Sequence, residues 1–329
     1  MKLYPENALR RLKRNTLKHR VIRQAFRTFT GTSVLILMYH GVTSSQLPIN
    51  NWCQVDAALF SQQIGFTADT HEILHLDDVL TRLANGQPIP RRTACLTFDD
   101  GFRNIATTAH PVLLRHAAPH TIFLVTESIL TGQPAWPDRL FFALANTQQS
   151  SIDFQGQTYS LIGQHERESA YIQIATALKS LPNQRRIQAT EEVASQIGLP
   201  EVPKSSPFAP MDQADLGRLQ ADPLTRFGSH THSHPILSQC PIHQRKWEIE
   251  LAHRILLDFG LHPKLFAYPN GRAADLDPDS SRILRQLGYY GAVTTIHGLN
   301  RKNSDPFRLY RVGVGRDMTM PEFEVELFG

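Results

Sequence analysis

From residue 32 onward, short apolar runs alternate with longer stretches whose apolar residues recur every three or four positions. The short runs predict strands at 34–39, 95–98, 122–125, 265–268 and 290–294. The longer stretches predict helices at 57–68, 77–84, 106–116, 244–259 and 280–287. Strands that alternate with helices imply a parallel sheet covered by helices, because parallel strands can be joined only by long crossovers.

Residues 131–208 break this rhythm. "WPDRLFFALA", "SIDFQGQTYSLIG", "RESAYIQIATALKSL" and "RIQATEEVASQIGL" predict a mostly helical insertion that ends in the Pro-rich joint "LPEVPKSSPFAP". Ahead of the α/β pattern, residues 1–31 predict a basic amphipathic helix with Leu9, Leu12, Ile22, Phe26 and Phe29 as its apolar positions. The chain divides accordingly into this helix and one α/β domain over 32–329.

Charge sharpens that division. The formal net charge is +4, but residues 1–30 carry nine of the 34 Lys/Arg and one of the 30 acids, which leaves the remainder with 25 against 29, a net −4. Basicity therefore belongs to the first helix, and the main fold offers no nucleic-acid-binding face. Two readings of the helix stand side by side: contact with an anionic membrane surface, or packing on its own domain. No apolar run approaches the roughly 20 residues that cross a bilayer, and 34–39 is too short and too late for a secretory h-region. The expectation is a cytoplasmic protein, at most peripheral at the inner membrane surface. Three cysteines, Cys53, Cys95 and Cys240, with no CxxC pair, argue against a disulfide framework and a Cys-based metal site.

Two stretches carry candidate chemistry. In "CLTFDDGF" (95–102) an apolar strand runs straight into Asp99, Asp100 and a glycine that permits a sharp turn. The C-terminal ends of parallel strands are where α/β folds bind ligands, and adjacent residues leaving a strand point different ways, so the two carboxylates can hold separate jobs. A helix N-cap beside a turn residue is the alternative. In "GSHTHSHP" (228–235), His230 and His234 are four apart, which puts both imidazoles on one face if this is a helical turn. With one Asp they complete a two-His, one-carboxylate set that leaves metal positions open for water and substrate. His232 lies two residues from each and is expected to point away.

In order, "LTFDDGF" (96–102), "GSHTHSHP" (228–235) and "FAYPNG" (266–271) resemble the three motifs of the polysaccharide deacetylase family (NodB homology, carbohydrate esterase family 4). The likeness runs from "ILMYHGV" (36–42) to "LYRVGVG" (309–315), leaving out the insertion and the basic helix. It implies a deformed (β/α) barrel. It also implies a metal-dependent hydrolase that removes N-acetyl groups from an N-acytelated saccharide, a polysaccharide or a lipid-linked precursor. Asp99 matches the base, Asp100, His230 and His234 the ligands of a divalent metal (Zn2+ first, Co2+ or Ni2+ as alternatives), and Asn270 the donor of a main-chain N–H to the oxyanion. Many members carry an Arg in the third motif to orient the base; Ala267 stands there, so another Arg, or none, must serve. The usual C-terminal Leu-x-His block has no clear copy. The exopolysaccharide-type branch carries that strand at its N-terminus as an "MYH" block, which makes His40 the candidate acid and His297 the fallback. O-deacetylation, hydrolysis of a non-sugar amide, and a catalytically silent carbohydrate-binding homologue are the alternatives; retention of Asp99, Asp100, His230 and His234 counts against the last. Trp136 and Asp138 in "WPDRL" stand either at the edge of a sugar groove or in the insertion's core.

Overall fold

A computed structural model describes residues 33–328. The basic helix expected over 1–31 lies outside the described residues. Among these, no helix is long and apolar enough to cross a membrane.

The main sheet is a ring. Strands β1 (Val34–Tyr39), β4 (Glu72–Ile73), β5 (Thr93–Phe98), β6 (His120–Leu124), β9 (Thr225–Ser229), β10 (Leu265–Ala267), β11 (Gly291–His297) and β12 (Leu309–Gly313) all run parallel. Seven of them follow one another as β1-β12-β11-β10-β9-β6-β5 and close from β5 back to β1. Two-residue β4 adds to the start of β5, just below β6. The fold is thus the deformed (β/α) barrel that the family resemblance implies, with the parallel strands that the alternation of strands and helices anticipates. Short β2 (Gly41–Thr43) and β3 (Gln54–Asp56) pair with each other beside the barrel mouth.

Both faces of β1 are buried, which is why it reads as an unbroken apolar run. Val34 and Ile36 join Cys95, Phe123, Leu265, Val293 and Leu309 in one cluster; Leu35, Leu37 and Tyr39 pack outward with Phe60 and Ile64 of the helix Ala57–Thr70. That helix starts where Asp56 accepts from the N–H groups of Ala58 and Leu59 at 2.9 and 3.0 Å, satisfying donors that have no partner within the helix. The helix expected over 106–116 is a π turn, Ile105–Ala109, running into Pro111-containing His110–Arg115.

Between β6 and β9 lie the helices Trp136–Asn146, Gln164–Lys179 and Asn183–Ile197 and the antiparallel hairpin of β7 (Ser151–Phe154) and β8 (Gln157–Ser160). Leu140, Leu144, Ile152, Phe154, Ile174, Leu178 and Val193 give this segment a core of its own. The hairpin replaces part of the helix content expected there: "SIDF" and "QTYS" flank Gln155 and Gly156, both left-handed, which turn the chain back on itself.

Candidate active site

Register brings the chemistry to one end of the barrel. β1 and β5 pair from Val34–Thr93 through Tyr39–Phe98, and the Asp99 N–H donates to Tyr39 O at 3.0 Å, so His40 and the Asp99–Asp100 pair leave the barrel side by side. β6 and β9 pair as far as Leu124–Ser229, and the His230 N–H then donates to Leu124 O at 2.9 Å. Every sequence motif therefore exits at the C-terminal ends of the strands.

Asp99 and Asp100 diverge. Asp99 is 2% exposed and points into the barrel, where Arg311 Nη1 and Nη2 donate to its two oxygens at 2.8 and 2.7 Å. Arg311 Nε donates to Thr294 O at 2.7 Å and Nη1 also reaches Thr97 Oγ1 at 3.2 Å, so the guanidinium is fixed on three sides. Burial alone would raise the Asp99 carboxyl; the charge and hydrogen bonds of Arg311 more than offset it and hold the group well below the usual carboxylate range. Ala267 stands where the third motif could carry an arginine, and the arginine that meets Asp99 is Arg311 of "LYRVGVG".

Asp100 turns the other way, in a left-handed backbone conformation (φ 68°) followed by Gly101 (φ 66°). Its Oδ1 lies 3.5 Å from His230 Nε2 and 3.4 Å from His234 Nε2, and one ligand atom from each of the three lies within 4.8 Å of the others. Residues 230–234 are not a helical turn. His230 leaves β9, and Thr231 (φ 69°) and His234 (φ 58°) fold the loop back so that the two rings meet at 4.8 Å between centroids. His232 faces away: its Nδ1 meets Thr126 Oγ1 at 2.9 Å and its ring abuts Trp247. Glu248 pins the loop by accepting from the N–H groups of His232 and Ser233 at 3.0 and 2.8 Å.

The donor set fits a divalent cation. Asp100 Oδ1 is buried without a hydrogen-bond partner. His230 Nδ1 bonds Ala267 O at 2.7 Å, which makes it the protonated nitrogen and leaves Nε2 free as a lone-pair donor toward Asp100. Burial, with the negative charges of Asp138 and Asp99, raises the Asp100 carboxyl, and burial lowers both imidazoles; a dication at this point would reverse the cost of the carboxylate and needs the imidazoles neutral.

His40, 9% exposed, has Nε2 3.9 Å from Asp100 Oδ2 and its ring edge-on to Trp52 at 4.8 Å. Burial pulls its pKa down to about 4. His297 sits instead at the half-exposed end of β11, with Nε2 3.2 Å from Glu326 Oε2 of the last helix, Met320–Leu327. Asn270 is left-handed (φ 60°); its side chain donates to Asp275 at 2.6 Å and its carbonyl accepts from Thr295 Oγ1 at 2.7 Å, while its main-chain N–H donates to no acceptor among the described residues. Each of the three motifs thus holds a non-glycine residue at positive φ, a cost concentrated where the chemistry is.

A sequence-family comparison matches residues 86–292 to the family described as "Polysaccharide deacetylase". The chain belongs to the polysaccharide deacetylase family. The matched span runs from before "LTFDDGF" through β10 and into β11. No curated protein matches the chain. Among solved structures, the chain is similar to the Streptococcus pyogenes deacetylase PplD in complex with acetate, with 19% identity, a TM-score of 0.57 and coverage of 91% of this chain and 100% of that one. It is similar to IcaB from Ammonifex degensii at 18% identity and TM-score 0.55, covering 91% and 99%. A de-N-acetylase from Aggregatibacter actinomycetemcomitans matches at 10% identity and TM-score 0.57, covering 89% and 99%. At these identities the solved structures share the fold.

Proposed function

We propose that this polysaccharide deacetylase is a metal-dependent hydrolase that removes N-acetyl groups from an N-acetylated saccharide, with Asp100, His230 and His234 as the ligand set. The observation that carries the reading is the convergence of those three donors beside an ionised, arginine-clamped Asp99. A divalent cation, zinc first, would supply Lewis acidity there, polarising the acetyl carbonyl and making a water acidic enough for a carboxylate of low basicity to deprotonate.

The chain's own groups divide the rest. Asp99, kept ionised and immobile by Arg311, takes the proton of the attacking water. The Asn270 main-chain N–H donates to the oxyanion of the tetrahedral intermediate, a role its left-handed backbone suits by turning the N–H out of the local hydrogen-bond network. His40 delivers a proton to the departing amine, which is a poor leaving group until protonated. Burial keeps His40 neutral at rest, so it becomes an acid only by gaining a proton during turnover, when the nearby carboxylates stabilise the imidazolium. The place of His40 at the end of β1, in "MYH", supports assignment to the exopolysaccharide-type branch. The likeness to a de-N-acetylase among the structural relatives favours amide over ester cleavage.

The test is acetate release from a panel of N-acetylated oligosaccharides, before chelation, after it, and after adding back Zn2+, Co2+ or Ni2+. Release that chelator abolishes and metal restores is the expected result. A metal-loaded protein that frees acetate from none of the panel sinks the reading in favour of a binding role.

A further inference from the structure

Of the two imidazoles in the proposed ligand set, the structure holds only one from behind. His230 leaves β9 directly, and its Nδ1–H donates to Ala267 O at 2.7 Å. A ligating histidine is almost always fixed in this way, through its second ring nitrogen. His234 is not: its Nδ1 is buried and meets no hydrogen-bond partner among the described residues. Its ring is therefore aimed at Asp100 by packing and by the backbone that carries it. Residues 231–234 belong to neither helix nor strand. Thr231 and His234 both sit at positive φ, a conformation that persists only where the surroundings impose it.

Three elements impose it. The N–H groups of Thr126 and Glu127, opening the helix Thr126–Thr131, donate to Thr231 O and His232 O at 3.3 and 2.9 Å. Trp136 Nε1 donates to His234 O at 3.2 Å. Glu248, 1% exposed in the helix Ile242–Asp258, does most: it accepts from the N–H groups of His232 and Ser233 at 3.0 and 2.8 Å and from the Ser233 hydroxyl. Both of its oxygens accept, as those of an ionised carboxylate do, and hydrogen bonds to an ionised acceptor are roughly twice as strong as neutral ones. Burial raises the Glu248 carboxyl, and these hydrogen bonds work against that rise. The bond from the His234 N–H to Thr231 Oγ1, at 3.1 Å, ties the loop to itself and not to the barrel. We infer that Glu248 is a positioning residue for the metal site: by gripping the two amides between the histidines it sets the loop so that His234 Nε2 faces Asp100, in place of the outer hydrogen bond that His234 lacks. The effect is one-sided. Loss of Glu248 releases His234 and spares Asp100 and His230, which stand at the ends of β5 and β9.

This role rests on the metal-dependent reading, and the test separates the two. Zn2+ affinity is measured without substrate, by competition with a chromogenic chelator, for the parent, Glu248→Ala, His234→Ala and the double variant. Glu248→Ala is expected to bind Zn2+ about 10- to 100-fold more weakly, the usual worth of a group that orients a ligand. In the His234→Ala background the same change should cost less than about threefold, because the ligand it positions is gone. Unchanged affinity in Glu248→Ala overturns the role. So does an equal loss in both backgrounds, which is what a general support of the fold predicts. Glu248→Gln keeps the shape and one acceptor oxygen, and its affinity should fall between those of the parent and Glu248→Ala. If Glu248→Ala does not fold, the cycle is run with Glu248→Gln: a loss larger with His234 present than without it supports the role, and equal losses or none overturn it. A parent that binds no Zn2+ overturns the ligand set and the role together. A parent that binds Zn2+ yet frees no acetate overturns the deacetylase reading alone, and the cycle still decides Glu248.

Discussion

Arg311 grips Asp99 across 212 positions of sequence, through two parallel hydrogen bonds inside the barrel, with 1% of the arginine exposed. Removing one partner of such a pair leaves a buried charge alone, which typically costs about 3–5 kcal/mol. Arg311→Met is expected to show this cost at pH 7. The sign with pH follows from the depressed Asp99 pKa: the parent has the pair's full contribution above the unfolded value of about 3.9 and loses it as pH falls toward the lower folded value. In the variant, burial without the guanidinium raises the pKa, so its penalty exists only where Asp99 ionises. Denaturant melts at pH 7 and pH 3.5 should show the gap between the two proteins shrinking at the lower pH.

His40→Gln removes the proposed acid without touching the ligand set. On an N-acetylated saccharide kcat should fall about 10²- to 10⁴-fold, the usual worth of general acid catalysis. On 4-nitrophenyl acetate, whose leaving group needs no proton, the loss should be under about tenfold. His297→Gln, paired with Glu326 at the half-exposed end of its strand, should change both rates less than twofold. A reversed pattern would make His297 the acid.

His234→Ala leaves two donors and should weaken Zn2+ binding by at least about 100-fold, read by competition with a chromogenic chelator. In the parent, burial raises the Asp100 carboxyl and lowers both imidazoles, which favours a proton on Asp100 and neutral histidines before a metal binds. Titrations in buffers of different ionisation enthalpy should therefore register proton release on metal binding that grows as pH falls, and Asp100→Asn should reduce it.

Gly101 sits at φ 66°, and a Cβ there would meet Leu124 Cδ2 at 2.8 Å. Gly101→Ala pays for both the left-handed backbone and the clash. A loss of about 1–3 kcal/mol in denaturant melts is expected.

Where apolar pattern dominates, sequence and structure agree: β1 and the helices after it are strong runs, buried on both faces or one. β9 ("TRFGS") and β12 ("LYRVG") escape such reading because Gly228 and Arg311 stand among their few buried positions and break the apolar run. The cluster of Asp100, His230 and His234 was legible because these residue types are rare together in such short motifs. The Asp99–Arg311 pair was not, since nothing local to "LYRVG" distinguishes an arginine aimed inward from one on the surface; only ring closure brings it to Asp99. Likewise the four-residue spacing of His230 and His234 is the same for a helical turn as for the left-handed loop that forms.

β1 lies between β5 and β12 in the ring, so the proposed base comes from one neighbour of the first strand and its clamp from the other. During synthesis the carboxylate of residue 99 emerges more than two hundred residues ahead of the guanidinium that steadies it. Every shorter nascent chain must keep that carboxylate in water or protonate it. Closure of the barrel and completion of the proposed reactive centre are consequently a single event, one that waits until residue 311 has joined the chain.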